Sequence, residues 1–132
     1  MSDAPRICLV TSTHIAANPR LVKEADALTH AGYRVRVVAM NALPEQTALD
    51  QALLAGRTWT LATVNAQRHG AGRARWLFAA LRQQLCLRVT QRLNARALRP
   101  RAYSRFMPEL ARLAACEPAD LYLGHTLAAL PA

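Results

Sequence analysis

Residues 6–39 read RICLVTSTHIAANPRLVKEADALTHAGYRVRVVA, and the succession of patterns within that stretch decides the fold. Arg6 to Thr11 is short, rich in apolar and β-branched residues and apolar on both sides, which leaves it no wet face and suits a central strand of a parallel sheet. A loop runs from Ser12 to Ala17. Asn18 can then cap a helix that begins at Pro19, a position where the missing amide hydrogen costs nothing. Leu21, Val22, Ala25 and Leu28 recur at helical spacing, and Gly32 supplies the stop. Tyr33 to Ala39 alternates Arg34 and Arg36 with Val35 and Val37, a second strand. Strand, helix and strand form a crossover unit whose hand should be right-handed.

The same alternation continues down the chain. Asn41 to Gly56 contains Pro44 and reads as a loop with one or two helical turns, and Thr58 to Val64 is a third strand. Gln67 to Gly72 is polar and glycine-bearing, the best linker in the sequence. A long helical pattern then runs from Arg73 to about Leu98 and breaks near Pro100; Tyr103 to Cys116 offers a further helix. Asp120 to Gly124 is a fourth strand, after which Leu127 opens what reads as the next helix. The expected class is therefore α/β: a Rossmann-like, doubly wound parallel sheet of four strands in the order third, second, first, fourth. A stop just after a strand leads us to expect that residues 1–132 belong to a longer protein.

Composition narrows the setting. The chain has 132 residues, 52% of them hydrophobic, enough for one globular core and too few for two. The longest uninterrupted apolar run is the six residues Trp76 to Leu81, so neither a membrane span nor a signal peptide is expected, and the cytosol is the expected location. Cys8, Cys86 and Cys116 lie far apart without paired spacing, so no disulfide and no metal site is expected. Between Gln51 and Pro108 eleven arginines face no Asp or Glu; that segment carries +11 of a total of +9, and the rest of the chain sums to −2. So uneven a distribution implies an anionic partner, the phosphates of a nucleic acid or a membrane surface.

Ligands of doubly wound sheets bind beyond the carboxyl ends of the strands, where the winding reverses between the first and fourth strands. Two segments should converge there: the loop Thr11 to Arg20, with Ser12, Thr13 and His14, and Gly124-His125-Thr126 at the end of the fourth strand. His125 combines a strand-end position with a preceding glycine that lets a ligand approach. His14 has a plainer alternative, a satisfied structural histidine. Ser12, Thr13 and the first helical amides could hold a phosphate or a sugar hydroxyl, with Arg20 as an anion clamp or simply solvated. The loop lacks G-x-G-x-x-G, and the second strand ends in Ala39-Met40-Asn41 with no acid for a ribose, which speaks against a dinucleotide cofactor. A regulatory domain of the response-regulator type would want acidic residues after the first strand, and that loop has none.

The stretch 6–39, with its helix opening N-P-R-x-x-K-E-A, resembles the start of retaining GT-B glycosyltransferases of the large "group 1" family. The closing PADLYLGHTLAALPA resembles the P-A-D-[LV]-[VY]-x-x-H-[DTN]-x-x-x-L-P-A stretch of the same enzymes. The two segments cover about a third of the chain, at a spacing that suits the family. The resemblance implies that residues 1–132 are the N-terminal, acceptor-side domain, and that the donor-binding domain lies outside them. It implies transfer of a sugar from a nucleotide-diphosphate donor to an acceptor with retention, the donor's own phosphate helping to deprotonate the acceptor; no cofactor beyond that donor substrate is expected. It maps the site onto Thr13, His14, Asn18 and Arg20, and onto His125, beside the transferred sugar, with Thr126. The first loop departs from many members in having no Gly-Gly pair.

The basic segment hints at the acceptor. Arg88, Arg92, Arg96 and Arg99 form one stripe at helical spacing and Val89, Leu93 and Ala97 another, while Trp76, Leu77, Phe78, Leu81 and Leu85 make a bulkier apolar surface upstream. A basic amphipathic helix with aromatic residues at one end suits an anionic bilayer, hence a lipid-linked acceptor and a peripheral position on the inner face of the plasma membrane. The plainer reading has the apolar stripe on the sheet and the arginines in water. A nucleic-acid-binding module is the rival class; it lacks support from recognition-helix punctuation or from stacking aromatics on a sheet.

Overall fold

In the computed structural model, which describes residues 4–126 and 129, four strands form one parallel sheet. They are β1 (Arg6–Val10), β2 (Arg34–Asn41), β3 (Thr60–Asn65) and β4 (Leu121–Gly124), in the order β3-β2-β1-β4. The expected order is thus the observed one. Register sets Arg6 beside Arg34, Ile7 beside Leu121, and Arg36 beside Thr60. The helix expected from Leu127 lies outside the described residues.

Strand alternation sends successive side chains to opposite faces, and each face builds its own core. Ile7, Leu9, Val35 and Val37 meet Leu21, Val22 and Ala25 of α1 (Pro19–His30), with Ile15 and Trp59 closing the layer. Cys8, Val10, Val38 and Val64 face the other way onto Phe106 and onto Leu110 and Ala114 of α5 (Met107–Ala115). Burial pushes the Cys8 thiol up, with Arg36 opposing, so this cysteine behaves as a small apolar residue. β4 is an edge strand, and Leu121 and Tyr122 on it are exposed.

Three sequence expectations need correction. Asn41 to Gly56 holds a full helix, α2 (Pro44–Leu54): Pro44 starts it instead of breaking it, and Glu45 sits in its first turn, where a carboxylate favours the helix dipole. The linker is no loose tether. Gly72 is buried, and a Cβ there would stand 2.6 Å from Asn65 Oδ1 and 2.7 Å from the Gln67 carbonyl oxygen. The long helix α3 (Arg73–Leu93) stops short of Leu98 because Asn94 adopts a left-handed conformation, φ 46°, which asparagine tolerates better than most side chains. A 3-10 turn (Arg96–Leu98) and the short α4 (Arg99–Tyr103) follow. The stripe Arg88, Arg92, Arg96, Arg99 is therefore not continuous: the first two lie on α3, the third in the turn and the fourth at the start of α4. The stripe Val89, Leu93, Ala97 breaks at the same place.

Helix α3 packs chiefly on α4 and the flanking turns and joins the core layer under the sheet through Ala79, with Trp76 alongside; of its residues only Ala79 and Cys86 are buried. Arg82 latches it to α5 with two hydrogen bonds to Glu109, 2.7 and 2.8 Å, and a third to the Arg105 carbonyl oxygen. Burial works to raise the Glu109 pKa, but the Arg82 hydrogen bonds and nearby positive charge outweigh it and hold the carboxyl below its ordinary range. Arg68 and Arg105 stack on Trp76 at 4.9 and 4.5 Å from the ring centre. On the far side of the sheet, Asp26 accepts from Arg57 and, at 2.7 Å, from the Trp59 indole; these bonds lower its pKa.

Candidate functional site

The loop after β1 and the end of β4 meet, as the winding requires. Ser12 and Thr126 share a hydroxyl-to-hydroxyl hydrogen bond of 2.8 Å, and the Ser12 amide donates to Thr126 Oγ1 at 3.2 Å. The His125 amide donates to the Val10 carbonyl oxygen, extending the β1–β4 ladder by one residue past the strand and fixing where the imidazole emerges. Its Nε2 lies 2.8 Å from Oε2 of Glu24 on α1, with the His125 side chain 9% exposed and the Glu24 side chain 38%. A carboxylate on one ring nitrogen orients the ring, and no described residue pairs with Nδ1.

His14 has a different situation. It is buried, its Nδ1 is 2.7 Å from Asp50 Oδ2, and the Ala42 and Leu43 amides donate to Nε2 at 2.9 and 3.0 Å. Two amides aimed at Nε2 require a lone pair there, so the ring hydrogen sits on Nδ1 and points at Asp50. Asp50 Oδ1 also accepts from the Ala16 amide at 2.8 Å. Every polar atom of the ring is used within the protein. His14 and Asp50 pin the β1 loop to α2 and to the end of β2, and the ring has no nitrogen left for a ligand.

The other residues of the loop divide similarly. Asn18 caps α1, its Oδ1 accepting from the Leu21 amide at 3.2 Å, and so holds the loop while occupying a helical amide. Thr13 is exposed; its amide and hydroxyl turn back onto Thr11 Oγ1 at 3.3 and 3.0 Å, and its carbonyl accepts from the Met40 amide. Arg20 is exposed in the first turn of α1, and no described residue pairs with it. Glu24 stands one turn further along the same helix.

Ser12, Thr126, His125 and Glu24 thus lie together around the carboxyl ends of β1 and β4, with Arg20 one turn before Glu24 on α1. Hydroxyls, an oriented imidazole, a carboxylate and a guanidinium without a partner among the described residues suit a polyhydroxylated ligand that carries an anionic group. A concavity lined by Arg6, Tyr33, Arg36, Thr58 and Cys116 lies at the opposite end of the sheet. We place the site at the carboxyl ends because crossover loops and helix starts converge only there. Sequence reading missed Asp50 and Glu24. Asp50 fell in a segment read mostly as loop, and Glu24 stood inside the N-P-R-x-x-K-E-A motif with no role assigned to it.

Arg88, Arg92, Arg96 and Arg99 are all exposed and belong to the α3–α4 hairpin; Arg99 donates to Asn94 Oδ1 at 2.7 Å. No helix among the described residues is long and apolar enough to cross a membrane, and among them no group of three or more His, Cys, Asp or Glu is placed to hold a metal ion. No protein-family model matches the chain, and neither a curated protein nor a solved structure matches it.

Proposed function

We propose that the chain is the acceptor-side domain of a glycosyltransferase that moves a sugar from a nucleotide-diphosphate donor to an acceptor hydroxyl with retention of configuration. The observation that carries this reading is the pairing of His125 with Glu24, which joins the two segments of the family resemblance, N-P-R-x-x-K-E-A and G-H-T, at one strand end. In the reaction the bond from the anomeric carbon to the diphosphate breaks and a bond to the acceptor oxygen forms. The acceptor proton passes to the departing diphosphate, so the protein need not supply a base. His125 then serves by hydrogen bonding to the transferred sugar, its ring steadied by Glu24, while the hydroxyls of Ser12 and Thr126 line the approach. Arg20, one turn before Glu24 on α1, is the residue we assign to the donor's negative charge.

The test is a transfer assay on the complete gene product with a panel of sugar nucleotides and both glycan and lipid-extract acceptors, reading the anomeric configuration of the product by NMR. His125→Ala should lower kcat about 10- to 100-fold, the value of one transition-state hydrogen bond. Wild-type turnover from His125→Ala, or absence of transfer with every donor, would sink the reading.

A further inference from the structure

Helix α3 is apolar on two opposite sides, and only one of them is covered. Ala79 and Cys86 turn inward, while Leu77, Phe78, Leu81 and Leu85, at positions i, i+1, i+4 and i+8, share the outer face with exposures of 53, 65, 71 and 62%. Continuing along that face, the next outward residues are Arg88 and Arg92, both exposed. Arg73 and Arg75 flank its start, and Arg96, Arg99 and Arg101 cluster past its end, all exposed. No carboxylate occurs from Gln51 to Pro108, and Glu109 just beyond is consumed by Arg82. A contiguous outward apolar patch of this size marks a contact surface.

Geometry and charge together select the occupant. A nucleic acid would satisfy the arginines and leave three leucines and a phenylalanine in water. A second copy of this chain would cover the leucines and bring like charges together. An anionic lipid surface satisfies both sets at once, apolar side chains entering the boundary of the acyl region and guanidinium groups meeting the headgroup phosphates. We infer that the outer face of α3, Leu77 to Arg92, is a docking surface for an anionic bilayer. Relative to the sequence reading, the apolar contact keeps Leu77, Phe78, Leu81 and Leu85 and loses Trp76, which packs on the core under Arg68 and Arg105, and the basic contact divides between the end of α3 and the hairpin behind it. This inference stands whether or not the protein transfers sugars.

The experiment is cosedimentation of the full chain with phosphatidylcholine vesicles, with and without phosphatidylglycerol, alongside sedimentation equilibrium and a duplex-DNA titration. Expected are binding to the phosphatidylglycerol vesicles, weak binding to neutral ones, and loss of binding as salt rises. The variant Leu77→Gln/Leu81→Gln/Leu85→Gln and the variant Arg88→Gln/Arg92→Gln should each lower partitioning at least about tenfold. Circular dichroism should be unchanged in both, because none of these side chains enters the core. The proposal is overturned by any of three results: no binding to anionic vesicles, binding that neither variant weakens, or vesicle-free assembly. That last result would be a dimer lost in the leucine variant, or a DNA complex lost only in the arginine variant.

Discussion

Glu24 on the first helix and His125 beyond the fourth strand meet at 2.8 Å, so the orientation of the imidazole depends on a side chain that contributes nothing to the core. The Glu24 side chain is 38% exposed, which separates its effect on the site from any effect on folding. Glu24→Gln in the complete protein should therefore lower transfer by less than His125→Ala does, roughly 3- to 10-fold, a loss of about 1 kcal/mol in positioning. Its thermal midpoint should stay at the wild-type value. Equal losses of stability and of activity would make the pair structural.

His14 and Asp50 are the opposite case. Asp50→Ala strands the Nδ1 hydrogen of His14 and the Ala16 amide, both within the protein. Removing the acceptor of buried donors should cost about 2–3 kcal/mol, read as a lower urea midpoint with little change in slope. A variant as stable as wild type would show that water replaces the carboxylate and that the loop is held elsewhere.

Acid should weaken the fold through Glu109 and Asp26. Both hold their protons less tightly folded than unfolded, since Arg82 lowers the first, and Arg57 with Trp59 lowers the second. Groups with depressed folded values contribute stability that is complete above the ordinary carboxylate range and is lost as pH falls through the lowered values, below about pH 4. A urea midpoint measured against pH should fall over that range. Arg82→Met should be less stable at neutral pH and show a shallower acid limb, because the Glu109 share is gone; an unchanged limb would acquit the latch.

Gly72 makes the tightest approach in the connection to α3. Its φ is −82°, which any residue adopts, so only space is at stake. Gly72→Ala places a methyl 2.6 Å from Asn65 Oδ1 and 2.7 Å from a backbone oxygen that cannot swing aside. A loss of about 1–3 kcal/mol in urea unfolding is expected.

What sequence conveyed best was whatever has a strict period. The apolar run of β1 and the alternating β2, the cap at Asn18 and the stop at Gly32 all follow from local sterics and hydrogen bonding, and the strand order follows from how such units wind. Legibility failed where the deciding contact is remote or conformationally rare. Nothing near Asp50 announces that its partner is His14, and nothing before Asn94 distinguishes a left-handed end from one more helical residue. The same holds for the site: Ser12, His125 and Thr126 could be brought together from topology, whereas Glu24 becomes visible only once α1 is laid against the strand end.

The two borders of the sheet differ in chemistry. β3 presents Thr60 and Thr63 to water, whereas β4 presents Leu121 and Tyr122. A border strand with unpaired peptide groups and apolar side chains accepts another strand from any chain that offers one. Among the described residues, the apolar border of the sheet is therefore the same strand that delivers His125. A strand added at that border, by whatever chain supplies it, would run beside the backbone that leads to His125 and so set the direction from which the strand end is approached.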